Sequence, residues 1–258
     1  MLSLQERQEK IYELAKAHKR IRVREMSRLF DVSEITIRSD IMDLEKVGLL
    51  IKTHGGAMLA EEMLGTEIPY VRKSYLNVSQ KQAIGAAAAA LIRERDVVIL
   101  DSGSTMLEVA KRIKTRNITV ITNDLKVAAA LAQKTGIRLF VTGGEVDSSG
   151  YTMMGEDCIH YLEKINVNKA LLGCDAFDLE KGVSNRTMQE SYIKQAMMKA
   201  SEQKILVFDK SKLGKKVFAR VCTVADFDLI VTDELEENER IALRTLGVEY
   251  IETADKTL

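Results

Sequence analysis

The apolar positions of this chain change their period part of the way along it. In the first sixty residues they recur three and four apart: Ile11, Leu14 and Ala15, then Val23, Met26, Leu29 and Phe30, then Ile37, Ile41, Leu44 and Val47. That spacing lays one buried stripe along a helix. It predicts helices over 4–17 and 23–30, and a third that opens after Ser33. Ser3 and Glu6 form the S-x-x-E box that caps the first helix. Asp31 and Val32 leave room only for a tight turn. Ser33 caps the third helix and Glu34 sits in its first turn, where the helix dipole favours an acid. Gly48 stops that helix, and a short apolar strand, Leu49–Thr53, runs into the turn His54-Gly55-Gly56 and a further apolar stretch from Ala57. Helix, short helix, turn, helix and hairpin is the order of a winged helix-turn-helix. The same pattern also fits a plain three-helix interaction module.

Further along, the apolar residues come in short unbroken runs, at 96–100, 118–122, 137–142, 169–173, 204–208, 228–232 and 248–251. Helical patterns separate most of them, at 105–113, 124–134, 155–164, 187–201 and 236–246, and an alanine-rich helix precedes them at 81–92. Strands alternating with helices predict an α/β domain with a mostly parallel, Rossmann-like sheet. Residues 59–80 are polar, hold the only proline, Pro69, and read as a linker. The predicted organisation is thus a DNA-binding domain over 1–58, a linker over 59–80 and a second domain over 81–258. The five consecutive alanines of the 81–92 helix allow close packing, so that face is a candidate subunit interface.

Composition removes several classes. The 258 residues are 46% hydrophobic and 29% charged, which fits a soluble globular protein. No apolar run reaches the ~18 residues of a membrane helix. The start, MLSLQERQEK, is charged by its sixth residue and is not a secretory signal. A cytoplasmic protein without membrane contact is expected. Cys158, Cys174 and Cys222 form no CxxC pair and read as reduced core thiols, and His18, His54 and His160 lie at no ligand spacing, so no metal is expected. Neither a GxxxxGK[ST] nor a GxGxxG loop follows the first strand, so no cofactor is expected either.

Charge is more informative by region than in total. Basic and acidic residues balance at 38 each, but residues 1–58 hold 11 basic and 9 acidic ones. Lys16, Lys19, Arg20, Arg22, Arg24 and Arg28 face a single acid, Glu25. Such a patch fits a polyanion, or else a solvated helix face. Glu34, Ile35, Thr36, Arg38, Ser39 and Met42 lie off the apolar stripe of the third helix, where a major groove would be read. Arg38 can reach a phosphate or a guanine edge, Thr36 a phosphate or a thymine methyl. Lys52 and His54 place the hairpin beside the backbone. With Ser33, Arg22 and Arg24 they complete the candidate DNA contacts.

In the second domain the polar residues gather where strands end. Asp101-Ser102-Gly103-Ser104-Thr105 follows the first strand, Asn123 the second, Gly143-Gly144 the third, Asp175 the fourth, Asp209 and Lys212 the fifth, and Asp233 the sixth. Parallel strands bring these ends to one edge, where open α/β sheets bind ligands. Any single one of them also fits a cap or a turn. Residues 101–105 combine small residues, hydroxyls and a helix start, which makes a cradle for one phosphate.

The run VSEITIRSD (32–40), the L-x-x-x-G-L of 44–49 and the HGGA of 54–57 resemble the signature of the DeoR-type bacterial transcription regulators. DSGST (101–105), TND (122–124), TGG (142–144), GCDAFD (173–178), the E-x-x-x-K of Glu190 and Lys194, and DKSK (209–212) extend the resemblance over nearly the whole chain. Ser39, Arg22, Asp124 and Asp147 depart from the family pattern. The resemblance implies a repressor of carbohydrate metabolism that binds double-stranded operator DNA as a dimer or tetramer. It implies a sensor domain like ribose-5-phosphate isomerase and a phosphorylated sugar as effector. Asp101, Ser102, Gly103, Ser104, Thr105, Asn123, Gly143, Gly144, Asp175, Glu190, Lys194 and Lys212 would then form the effector site. Two alternatives stay open. One is a sugar-phosphate isomerase or deaminase, with Asp175, Asp178 and Glu190 as acids or bases and Lys212 as cation. The other is a DNA-binding protein whose second domain only oligomerises.

Overall fold

The computed structural model describes residues 2–60 and 70–253. The chain divides into two compact units, Met1–Ser79 and Gln80–Leu258. In the first, α1 (Leu4–His18) leads to β1 (Arg20–Arg22), α2 (Val23–Phe30), α3 (Glu34–Lys46), β2 (Leu50–Thr53), β3 (Gly56–Leu59) and a short α4 (Tyr70–Ser74). The predicted stripe is the core: Ile11, Ile37, Ile41 and Leu44 are fully buried, with Ile21, Leu50 and Ala57 closing it from the strands. The Ser3 capping box and the Ser33 cap both form. β1 was not predicted. Three residues are too few to show an alternation, and only antiparallel pairing with β3, in the order β1-β3-β2, makes them a strand.

One charged residue stands inside the apolar stripe. Asp40, on α3, is 1% exposed and receives Arg7 Nε at 2.6 Å and Arg7 Nη2 at 3.1 Å from α1. That hydrogen bond to Asp40 raises the Arg7 pKa against the cost of burial. The pair fixes α1 on α3 with a geometry that apolar packing alone does not impose.

The connector differs from the polar linker predicted over 59–80. Tyr70 is buried, and Tyr75 and Leu76 pack on the core of the first unit. Val78 N–H donates to the Glu9 carboxylate at 2.7 Å and opens α5 (Val78–Ala90), earlier than the predicted start at 81. These apolar residues are spaced too sparsely to signal burial in the sequence. Pro69 and the rest of 61–69 lie outside the described residues.

The second unit continues with β4 (Val97–Leu100), α6 (Ser104–Arg112), β5 (Ile118–Thr122), α7 (Leu125–Ala132), β6 (Ile137–Val141), β7 (Glu145–Asp147), β8 (Thr152–Met154) and α8 (Glu156–Leu162). After these come β9 (Val167–Leu172), β10 (Ala176–Asp178), β11 (Gly182–Asn185), α9 (Met188–Lys199), β12 (Ser201–Val207), β13 (Ala219–Cys222), β14 (Leu229–Thr232), α10 (Glu237–Thr245) and β15 (Glu249–Glu252). All seven predicted strands enter one sheet, in the order β15-β14-β12-β9-β4-β5-β6, and every pairing in it is parallel. Alternate residues serve opposite faces. Ile99, Leu172, Leu206 and Ile230 meet Leu162 of α8 and Ile193 and Met197 of α9. Val98, Leu100, Leu171 and Val207 meet Ile84 of α5, Met106 of α6 and Val127 of α7. Ala88 and Ala89 of the alanine-rich helix are spent in this second cluster.

Two small additions had no sequence signal: the ribbon β7-β8 and the antiparallel sheet β10-β11-β13. The strand order decides where a ligand would go. From β4 the chain steps outward to β5 and β6, then returns to β9 on the other side of β4. The switch point is therefore the crevice outside the ends of β4 and β9.

Candidate DNA interface and effector site

In the first unit the α3 side chains off the core stripe are largely open to solvent. Ile35 is 79% exposed, and Arg38, Ser39 and Met42 are exposed beside it. Ser33 and Thr36 are already occupied with each other. Ser33 Oγ accepts the Thr36 N–H at 3.1 Å and lies 2.9 Å from Thr36 Oγ1, so these two set the helix start. Arg38 Nη2 donates to Glu34 at 2.9 Å, a solvent-exposed pair that costs little to open. Arg22 ends β1 and stands at the N-cap of α2 without a capping side chain. It is exposed, as are Arg24, Lys52 and His54. Two hydrogen bonds fix the hairpin to the helices: Lys52 N–H donates to Glu45 Oε1 of α3 at 3.0 Å, and Val23 N–H of α2 donates to the Gly55 carbonyl at 3.0 Å.

In the second unit some of the predicted strand-end residues meet at the switch point, Asp101 and Asp175 among them, whereas Gly143 and Gly144 follow the edge strand β6 and Asp233, after β14, accepts the Lys210 N–H at 2.7 Å. Asp101 leaves β4 buried, and its carboxylate accepts the Gly173 N–H at 2.9 Å and an ion-pair hydrogen bond from Lys194 of α9. Asp101 and Lys194 are thus the floor of the crevice and satisfy each other there. Burial opposes the charge on Lys194, but Asp101, Glu190 and Asp175 together carry its pKa above the ordinary lysine value. Glu190 closes a capping box with Thr187 at the start of α9. Asp209 is buried and accepts the Ser211 N–H at 3.1 Å; Lys212 and Lys81 hold its pKa below the usual carboxylate value in spite of burial. Burial pushes the Cys174 thiol up to about 12, against the pull of Lys212 and Lys194.

The 101–105 loop differs from its prediction in one donor. Asp124 is fully buried, caps α7 through the N–H groups of Lys126 and Val127, and takes the Gly103 N–H at 2.9 Å. That amide is therefore not among the loop's free donors. Burial raises the Asp124 pKa, and the three N–H groups moderate the rise. Gly103 is the N-cap of α6 and offers no capping side chain, which leaves the Ser104 and Thr105 amides at an uncapped helix start. Gly103 has φ 112°, and a Cβ there would meet open space, so backbone angle and not crowding requires glycine.

On the β5 side, Asn123 is buried with Nδ2 donating to the Met153 carbonyl at 3.3 Å. The ribbon is stitched to this strand end by Met153 N–H to the Asn123 carbonyl at 2.7 Å and Leu125 N–H to the Tyr151 carbonyl at 3.0 Å. Gly144 serves that junction. A Cβ on it would lie 2.2 Å from the Met154 carbonyl oxygen, so its presence is explained by the ribbon and not by a ligand. Asp147 is also a ribbon residue, accepting from Ser149 and Gly150 in the turn. On the β9 side, Asn185 Nδ2 donates to Asp175 Oδ2 at 3.3 Å. Asn185 stands in no motif that marks it as polar and buried, and Asp124, although part of TND, owes its burial and its bond to Gly103 to the fold. Among the described residues no group of His, Cys, Asp and Glu could hold a metal, and no helix is long and apolar enough to cross a membrane.

The chain matches the model of the DeoR-like helix-turn-helix domain over residues 7–63 and that of the DeoR C terminal sensor domain over residues 76–234. It is 36% identical over 228 residues to YulB, a helix-turn-helix-type transcriptional regulator of Bacillus subtilis, covering 88% of each chain. It is 33% identical to the transcriptional repressor GlcR of the same organism, covering 90% of this chain and 89% of that one. It is 30% identical to the lactose phosphotransferase system repressor of Staphylococcus aureus, covering 97% of this chain and 98% of the other. Among solved structures, ribose 5-phosphate isomerase A of Methanocaldococcus jannaschii is similar at 17% identity and a TM-score of 0.40, over 54% of this chain and 56% of that one. The chain thus spans about half the length of that isomerase, and so distant a likeness says nothing of activity. Both domain models and the relatives that match end to end are regulators rather than enzymes, and the chain belongs to the DeoR family of helix-turn-helix transcription regulators.

Proposed function

We propose that the protein is a cytoplasmic repressor of a carbohydrate operon, active as a homo-oligomer, whose hold on operator DNA is released by a phosphorylated sugar. The first unit would dock α3 in the major groove, with Ile35, Arg38 and Ser39 at the base edges and Arg22, Arg24, Lys52 and His54 on phosphates. Ser33, Glu34 and Thr36 would hold that helix start in place. The effector's phosphate would lie on the Ser102–Thr105 loop, against the uncapped start of α6. Its sugar would extend over Asp175, Glu190 and Lys212, with Asn123 and Gly143 at the other side. The observation that carries this reading is the uncapped start of α6 in the loop after β4, at the switch point and beside the buried Asp101–Lys194 pair. The names of GlcR and of the lactose phosphotransferase system repressor support repression, and the second supports a carbohydrate system as its target.

The decisive experiment is a melting-temperature screen of phosphorylated sugars against the same sugars unphosphorylated. A ligand of the native state raises the midpoint by mass action. One or a few phosphorylated sugars should do so, and the same compounds should displace operator DNA in a gel shift. Stabilisation by free sugars as strong as by their phosphates would overturn the phosphate assignment.

A further inference from the structure

Asn185 is a residue at the crevice whose chemistry the fold leaves half used. It ends β11, is 4% exposed and pairs with Ala219 of β13. Its Nδ2 donates to Asp175, and its Oδ1 is buried without a hydrogen-bond partner. Buried acceptors are nearly always paired, so an unpaired one at a ligand-binding edge points to a donor that arrives with the ligand. The position is right for that. Asp175 lies two residues beyond Gly173, which is held by Asp101 and lies so close that a Cβ on it would be 3.5 Å from the Ser102 carbonyl oxygen. Asn185 therefore borders the phosphate loop on the β9 side of β4. On the β5 side, Asn123 repeats the arrangement: 1% exposed, Nδ2 bound to a carbonyl, Oδ1 unpaired. The loop at the end of β4 is thus flanked by two buried amide oxygens and a carboxylate, all of them acceptors.

We propose that Asn185 is a specificity-determining residue of the effector site, its Oδ1 accepting a hydroxyl hydrogen bond from the sugar of a phosphorylated sugar. This rests on the effector reading above and adds what that reading lacks, a group that tells one sugar from another. A phosphate alone, or a sugar lacking that hydroxyl, leaves Oδ1 unpaired and gains nothing from it. A site built to bond a hydroxyl rejects analogues without one far more strongly than an apolar wall rejects a shape.

The test uses the full chain and its Asn185→Leu and Asn185→Ala variants, melted alone, with inorganic phosphate, and with a panel of sugar phosphates that includes monodeoxy forms. Without ligand, Asn185→Leu should melt near the wild-type temperature, because it removes an unpaired buried acceptor at similar volume but also the hydrogen bond to Asp175. Inorganic phosphate should shift all three proteins alike. The sugar phosphate that stabilises the wild type best should lose about tenfold or more in affinity for both variants, and one monodeoxy form should bind wild type and variants equally. Variants that keep the wild-type response to every sugar phosphate would overturn the assignment alone. So would a ligand-free Asn185→Leu that melts lower and loses inorganic phosphate too, which marks a structural role. A wild-type chain that no sugar phosphate stabilises beyond inorganic phosphate would overturn the effector reading and this assignment with it.

Discussion

Arg38 leaves α3 on its exposed side and is held in the free protein by Glu34, 2.9 Å away. The pair aims the guanidinium along the helix face without sequestering it, since both side chains are about half exposed. Arg38→Ala should weaken operator binding by about 1–3 kcal/mol if the arginine reads a base, and should leave binding to scrambled DNA nearly unchanged. An equal fall on both DNAs, in gel shifts at several salt concentrations, would reassign it to phosphate. Asp124 shows a different residue-scale effect. Its carboxylate occupies an amide that a phosphate loop would otherwise present, and adds a negative charge there. Asp124→Ser keeps a capping oxygen for α7 but frees the Gly103 N–H. Affinity for inorganic phosphate should rise, at a stability cost of about 1 kcal/mol for the lost hydrogen bonds. Isothermal titration and a thermal melt read the two terms separately.

Among the elements, α9 does the most for the site. It is capped by its own Thr187–Glu190 box, buries Ile193 and Met197 against the sheet, and so carries Lys194 to Asp101. The sign of the resulting pH dependence follows from the raised Lys194 pKa. A lysine that is more basic in the native state contributes stability that is fully present below the unfolded value of about 10.4 and is lost as pH rises through the native value. The second unit should therefore weaken at alkaline pH. Lys194→Met should flatten that alkaline limb and cost about 3–5 kcal/mol at neutral pH, because Asp101 is left buried without its cation. Adding Asp101→Asn should recover much of the loss. A wild-type alkaline limb in Lys194→Met, followed by circular dichroism melts across pH, would assign it to other groups.

For the whole molecule the question is coupling. An effector releases DNA only if it binds the DNA-free state better than the DNA-bound one, and the relation is reciprocal. Gly103→Val tests this at a position with space for a side chain but with φ 112°, a backbone conformation valine resists at a cost of about 1–3 kcal/mol. The loop should lose its shape and the effector its grip, while the helix-turn-helix unit stays intact. The variant should bind its operator normally and stay bound at effector concentrations that release the wild type. A folded Gly103→Val that is released at the ordinary concentration would place the phosphate elsewhere.

The sequence by itself determined much of this protein. Helical spacing around Ile37, Ile41 and Leu44, caps at Ser3 and Ser33, and seven apolar runs separated by helices reached the main helices and the seven strands of the parallel sheet, because each of these signals is local. Polar strand ends also pointed to one edge of the sheet, since parallel strands can only send their ends one way. What tertiary structure decided is partnership. Asp40 became an anchor because Arg7 lies opposite it, Gly103 N–H turned to Asp124, and Asp101 and Lys194 became a buried floor rather than open contacts. β1, the ribbon and the sheet that positions Asn185 exist only by pairing with strands distant in the chain. Such contacts depend on which residues fold together, and no periodicity along a single segment records them.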